Sequence, residues 1–260
     1  MLNTRFRTQD IAVIGICAAL YAVVGRLTDL GITFAGVAFW PAVVIPAIFA
    51  VLFGPWVGGI GGAIGIFIRD MLFHGNAGLS LAAGVPPNFI LFFIIGYFAT
   101  RSIDMKKAVA TIVLSAVVIV VGLLTPTLFY PAEFTALAKG LPTTDILIVF
   151  ASTVIASLAV IAVVAIRWKE WRSFAVGAVV GQAAGAALLS VTIWAASPLF
   201  LSYFGAPIAA TFILPLFVWT FATEIPFILL VGPPVIKACY RAFPSLKHRL
   251  TSQITGEPVE

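Results

Sequence analysis

The chain has 260 residues, of which 62% are hydrophobic and only 10% charged, with a net charge of +5 and a mean hydropathy of +1.13. A soluble domain, with about a quarter of its residues charged, is excluded, and the solvent for most of this chain is lipid. No basic patch with interleaved aromatics supports nucleic-acid binding, so the positive charge is read as a topology signal.

Eight apolar runs, each near the length of a bilayer-spanning helix, are predicted at 11–28, 37–53, 56–73, 84–100, 107–128, 144–166, 173–196 and 207–236. They make an all-α polytopic membrane protein with a single integral domain over residues 1–260. The first span follows Arg5 and Arg7 and merges into Arg26 and Asp29 without a small-residue cleavage site, which predicts a retained helix rather than a signal peptide. Within it Gly15/Ala19 and Ala18/Ala22 form small-residue pairs at four-residue spacing, suited to packing inside the bundle or against another subunit. The second span is short and bounded by Pro41 and Pro46, as a tilted or partly re-entrant helix would be.

The third span, in "FGPWVGGIGGAIGIFIRD", starts at Pro55, a residue favoured at a helix start. Gly58, Gly62 and Gly65 share one face of it, which predicts a groove for close approach of a neighbouring helix. Arg69 continues that face and Asp70 lies beside it: either an interfacial ion pair or part of a site. His74 follows four residues later, too little for a metal site with one Asp alone. The segment "HGNAGLSLAAGVPPN" is rich in Gly and Pro and is expected to be an irregular outer loop folded over the bundle mouth. Asn88 stands at the outer start of span four.

Span seven repeats the small-residue device with Gly177, Gly181 and Gly185 and carries Gln182, a candidate for interhelical hydrogen bonding. Span eight holds Glu224 near its middle, one turn after Thr220 and just before Pro226. A carboxyl group at that depth needs a partner or a wet cavity. Trp40, Trp194 and Tyr203 fall near outer ends, where they could line a mouth or simply anchor in the interface. Cys17 and Cys239 are isolated and suggest neither a disulfide nor a zinc site.

With both termini cytoplasmic, Arg5, Arg7, Arg101, Lys106, Lys107, Arg167, Lys169, Arg172, Lys237, Arg241, Lys247 and Arg249 all face inward, including those on a cytoplasmic tail at 237–260. Only Arg26, Arg69 and Lys139 of the 15 basic residues face outward, as the positive-inside rule demands. No H-E-x-x-H, G-x-S-x-G or P-loop is present, so neither hydrolytic chemistry nor ATP hydrolysis is expected of this chain, and no cofactor or metal.

The run "FWPAVVIPAIFAVLFGPWVGGIGGAIGIFIRDML" resembles the second-to-third helix region of the substrate-binding S components of energy-coupling factor (ECF) transporters. There a short Pro-bearing helix leads through an FGPxxG turn into a Gly-rich helix, and Pro41, Pro46, Phe53, Gly54, Pro55 and Gly58 stand here in that order. Ala18-x-x-x-Ala22 is similar to the alanine motif by which S components dock on their transmembrane coupling subunit. The ending "EIPFILLVGPPVIKACYR" resembles the family's closing helix. The resemblance covers roughly 10–100 and, more loosely, 173–240.

It implies a cell-membrane protein that captures a vitamin-like small molecule near the outer face, under the loops after helices one and three. Its partners would be lipid, a coupling subunit and two cytoplasmic ATPases. The implied site combines Arg69, Asp70, Asn88, Gln182 and Glu224 with Trp40 and Trp194, and Ala18 and Ala22 would dock the partner. S components usually have six spans, so 107–166 would be a helical hairpin inserted into a six-helix core. Two other readings remain: a self-sufficient secondary transporter or channel with Glu224 as its ion-coupling group, and a membrane enzyme acting on a lipid chain through Asp70 and His74.

Overall fold

A computed structural model describes residues 6–140 and 142–246. Arg5, Lys247, Arg249 and the tail beyond residue 246 lie outside the described residues. Helix α1 (Thr8–Leu27) leads into a hairpin of β1 (Thr33–Phe34) and β2 (Val37–Ala38), then a 3-10 turn at Pro41–Val43 and α2 (Val44–Phe53). Next come α3 (Pro55–Phe73), α4 (Ala77–Ala99) and α5 (Met105–Phe129). Strand β3 (Ala138–Lys139) precedes α6 (Thr143–Ala162), and α7 (Arg172–Ala196) and α8 (Ile213–Ala242) complete the bundle.

Among the described residues seven helices are long and apolar enough to cross a membrane, and Pro41–Phe53 is a shorter apolar helix. The chain is a multi-pass, all-α membrane protein. The predicted second span is the short one: the 10 residues of α2 make about 15 Å of helix at 1.5 Å per residue, half of a ~30 Å hydrocarbon core.

Successive helices run in opposite directions. Asp29, just past α1, meets Arg69 near the end of α3. Strand β3, between α5 and α6, pairs antiparallel with β1, and Tyr203 after α7 bonds to Gly36 in the hairpin. The β-hairpin, Arg69 and Tyr203 therefore share one end of the bundle. At the other end the amide of Ile103 donates to Ser173 Oγ at 3.2 Å. That end carries Arg7, Arg101, Lys106, Lys107, Arg167, Lys169, Arg172, Lys237 and Arg241.

Close approach by small residues builds the interior, since helices in lipid gain little from burying apolar surface against each other. Gly177, Gly181 and Gly185 all face α4: a Cβ on Gly181 would stand 2.6 Å from Leu91 O, and one on Gly185 3.0 Å from Pro87 O. On α3 the predicted single groove becomes three contacts. Gly58 abuts Ala50 of α2, Gly62 abuts Phe92 of α4, and Gly65 lies against Ala18 O and Tyr21 of α1. The four- and three-residue steps drift around the helix, so α3 becomes the hub on which α1, α2 and α4 pack.

Two sequence expectations are corrected here. Ala18 and Ala22 are each only 2% exposed and belong to the α1–α3 contact, so they are not a surface open to a partner subunit. Their neighbours Gly15 and Ala19 form the exposed small-residue pair of α1. The segment "HGNAGLSLAAGVPPN" is not an irregular loop over the mouth, because the chain is helical again from Ala77. It contains a widened π turn at Ser80–Gly84. Pro86 and Pro87 have no N–H to donate to the preceding turn, and Asn88 Nδ2 donates to Gly84 O at 2.9 Å beside the gap.

Candidate functional site

The cover over the bundle is the β-hairpin. Its two-residue turn places Ala35 at φ 48° and Gly36 at φ 80°, both left-handed, as a tight hairpin turn with the twist of the strands requires. Ala35 bears that strain under a hydrogen bond from its amide to Leu137 O at 2.9 Å. Trp219 of α8 donates from Nε1 to Val37 O at 3.0 Å. Phe34 is enclosed by the rings of Phe134 and Trp219, with Phe150 of α6 behind them. The α5–α6 pair thus helps hold the hairpin down. Tyr203 closes the far edge, its hydroxyl donating to Gly36 O at 3.1 Å; burial raises the pKa of that phenol, which keeps the donor in place.

Beneath the hairpin lies a cavity of about 90 Å³. Arg69 is its most constrained group. Its Nη2 is 3.1 Å from Asp29 Oδ2 and its Nη1 3.2 Å from Asp70 Oδ1. The guanidinium plane sits between the rings of Trp40 (4.2 Å to the centroid) and Phe73 (4.3 Å). Ser80 Oγ donates to the other oxygen of Asp70 at 2.7 Å. A Cβ at residue 84 would stand 2.7 Å from that same oxygen, so only glycine leaves the carboxylate its space. A charge this deep needs a partner, and here two carboxylates and two aromatic faces supply it.

A second polar chain crosses the cavity wall. Trp40 Nε1 donates to the Tyr21 hydroxyl at 2.9 Å, which donates to Asn88 Oδ1 at 2.8 Å. On the third side Gln182 Nε2 donates to Glu224 Oε2 (2.6 Å) and to Thr220 O (3.2 Å). Glu224 is the one cavity-lining residue contributed by α8. His74 lies 3.8 Å from Asp70 Oδ1 through Nε2, with its ring 5.1 Å from that of Tyr203. Burial, more than the opposing pull of Asp70, lowers its pKa from the ordinary 6.5. Among the described residues no group of three His, Cys, Asp or Glu could hold a metal ion, and both cysteines are free.

Of the residues picked out in the sequence, Trp40, Arg69, Asp70, Asn88 and Glu224 line this cavity. Two do not. Gln182 stands behind Glu224 and reaches it only by a hydrogen bond. Trp194 is 39% exposed on the outside of α7, where an interfacial tryptophan anchors in lipid headgroups; the neighbouring Ile193 and Leu189 face inward. Tyr21, Asp29 and Ser80 were missed. Asp29 carried a usable signal, an acid in a chain poor in charge and on the same side as Arg69. Tyr21 and Ser80 carried none.

A membrane bundle with a half-open cavity at one end, lined by Trp40, Arg69, Asp70, Asn88 and Glu224, has the form of a small-molecule-binding membrane protein. The sequence model of the family described as "ECF-type riboflavin transporter, S component" matches residues 5–169, and the chain belongs to that family, one of transporter subunits and not enzymes. A UPF0397 protein of Vibrio atlanticus (strain LGP32) is 36% identical over 94 residues, covering 36% of this chain and 50% of the relative. The chain thus spans about half the length of the curated relative it matches. No solved structure matches. The family match runs through 107–166 and ends before the last two helices.

Proposed function

We propose that this chain is the substrate-capture subunit of an ECF-type importer, binding a small, flat, vitamin-like molecule under the β-hairpin at the outer face. The observation that carries this reading is the polar cavity at the bundle end opposite nine basic residues, from Arg7 to Arg241. By the positive-inside rule the basic end is cytoplasmic and the cavity opens outward. Tyr21, Trp40 and Tyr203 offer the faces on which a flat heterocycle stacks; the family description names riboflavin.

At about 90 Å³ the cavity is smaller than the ~300–1,000 Å³ of most small-molecule sites. Binding therefore displaces the hairpin and the Leu201–Phe204 turn that meets it at Gly36. Transport needs a transmembrane coupling subunit and two cytoplasmic ATPases, which dock on the open Gly15/Ala19 face of α1. Helices α5 and α6, the least enclosed of the long spans, act as an added hairpin that secures the cover.

The test begins with mass spectrometry of the small molecule that co-purifies with the full chain. Uptake of that compound is then measured in cells with and without the coupling subunit and ATPases. Binding by the isolated chain together with ATPase-dependent uptake is expected. Uptake that persists without the ATPases and collapses with an uncoupler would overturn the reading in favour of secondary transport.

A further inference from the structure

We infer that the basic end of the bundle holds one anionic phospholipid, its phosphate seated between Lys237 and Arg241 of α8 and the segment that enters α7. This site is separate from the covered cavity and does not depend on what that cavity captures. A half-open hollow of about 470 Å³ lies there, walled by Val51 of α2, Ala99 of α4, Phe174 of α7 and Ile236 of α8. Its volume falls within the ~300–1,000 Å³ of most small-molecule sites.

The 30 residues of α8 make about 45 Å of helix at 1.5 Å per residue. A bilayer measures about 40–45 Å with its headgroup layers, so the last turns of α8 reach headgroup level. Lys237 and Arg241 stand one helical turn apart there, and both line the hollow. Neither is in an ion pair among the described residues. The wall also carries Glu170, but its Oε1 already accepts from Trp171 Nε1 at 3.1 Å. Two cations thus face one engaged acid, and the hollow favours negative charge.

Tyr240 supplies an independent observation. It lines the hollow, and its hydroxyl is buried with no partner among the described residues. A buried hydroxyl left unmade is costly, and an anionic oxygen held by the two flanking cations would accept from it. The apolar wall of Val51, Phe174 and Ile236 suits the start of an acyl chain. Trp168, 43% exposed, stands beside Trp171 at the level where tryptophans anchor among headgroups. Arg167 and Lys169 line a shallower hollow that shares Glu170 with the first. A free phosphate ester would match the charge and leave the apolar wall uncovered. Cations, orphan hydroxyl and apolar wall together describe a lipid of the leaflet at this end.

The purified full chain is studied by native mass spectrometry with added phosphatidylglycerol or phosphatidylcholine of the same acyl chains. Thermal shift in nanodiscs of each composition is the second readout. One phosphatidylglycerol per chain is expected, held at least about fivefold more tightly than phosphatidylcholine and raising the melting temperature. The double variant Lys237→Gln/Arg241→Gln should lose that preference. Lys106→Gln/Lys107→Gln removes as many charges from the same end outside the hollow, and should keep it. Tyr240→Phe deletes only the orphan hydroxyl and should weaken phosphatidylglycerol binding about 2- to 10-fold. It carries the test if the Lys237/Arg241 variant fails to fold.

Glycerol 3-phosphate and inorganic phosphate, each at millimolar concentration, are expected not to displace the lipid. Displacement by either would make this a site for a soluble phosphate and overturn the inference. Equal retention of the two lipids, or an equal loss in the Lys106/Lys107 variant, would reduce it to the general attraction of a basic surface. Unchanged phosphatidylglycerol binding in Tyr240→Phe would overturn it as well.

Discussion

Arg69 and His74 differ in how they tolerate burial. Arg69 is buried with Asp29 and Asp70 both in contact with it; removing either acid would leave the other to balance it alone. His74, one residue past α3, has Asp70 at 3.8 Å and the Tyr203 ring beside it, yet burial, aided by the charge of Arg69, outweighs the pull of Asp70 and lowers its pKa from 6.5. The unfolded chain then binds more protons than the folded one once pH falls below 6.5, so stability rises with pH across that window. The melting temperature is expected to drop as pH is lowered from 7 through 6.5 towards the depressed value, and His74→Gln should flatten that slope. An unchanged slope in the variant would assign the acid sensitivity to other groups.

Among the elements, the proline-bearing helices show how irregular backbone survives in lipid. Pro226 in α8 cannot donate to Ala222 O, and the Ser157 hydroxyl of α6 shares its proton between Thr153 O at 2.6 Å and that carbonyl at 3.0 Å, a partial repair of the kind that lets prolines stay in membrane helices. The π turn at Ser80–Gly84 works similarly ahead of Pro86 and Pro87, and it directs Ser80 at Asp70. Helix α1 divides its small residues between two tasks. Ala18→Trp forces a ring into the contact with Gly65 and should cost about 1–3 kcal/mol of stability by overpacking. Gly15, with nothing within 4 Å of a built Cβ, should accept tryptophan without loss of melting temperature or binding. Gly15→Trp is nevertheless expected to abolish uptake, because it blocks the docking face. Normal uptake by Gly15→Trp would place the partner elsewhere on the bundle.

Over the whole molecule, the alternating helix directions put the basic residues at one end and the covered cavity at the other. That asymmetry predicts the orientation. In a chain whose cysteines are replaced by serine, Ser202→Cys should react with an impermeant maleimide in intact cells. Asp104→Cys should react only after permeabilisation. The reverse pattern would turn the protein over and put the cavity in the cytoplasm. The short α2 bears on this directly, since a helix of about 15 Å, packed against α3, α4 and α8, covers only half of a ~30 Å hydrocarbon core.

Hydropathy alone determined the class and the spans. Seven of the eight predicted runs became helices long enough to cross a membrane, because a backbone in lipid must satisfy its own hydrogen bonds and has few alternatives to a helix. The second opens as strand at Val37–Ala38 and keeps only the short α2. The cost of burying polar groups likewise made Arg69, Asp70, Asn88 and Glu224 visible as site candidates. Which face each helix buries was decided only by packing. Ala18 and Ala22 turn inward and Gly15 and Ala19 outward because α3 offers Gly61 and Gly65 to one side of α1, and no spacing rule distinguishes two small pairs on one helix. Trp194 turned to lipid for the same reason. Tyr21, Asp29 and Ser80 joined the site through contacts between residues 10 to 67 positions apart, and such pairings exist only once the helices have assembled.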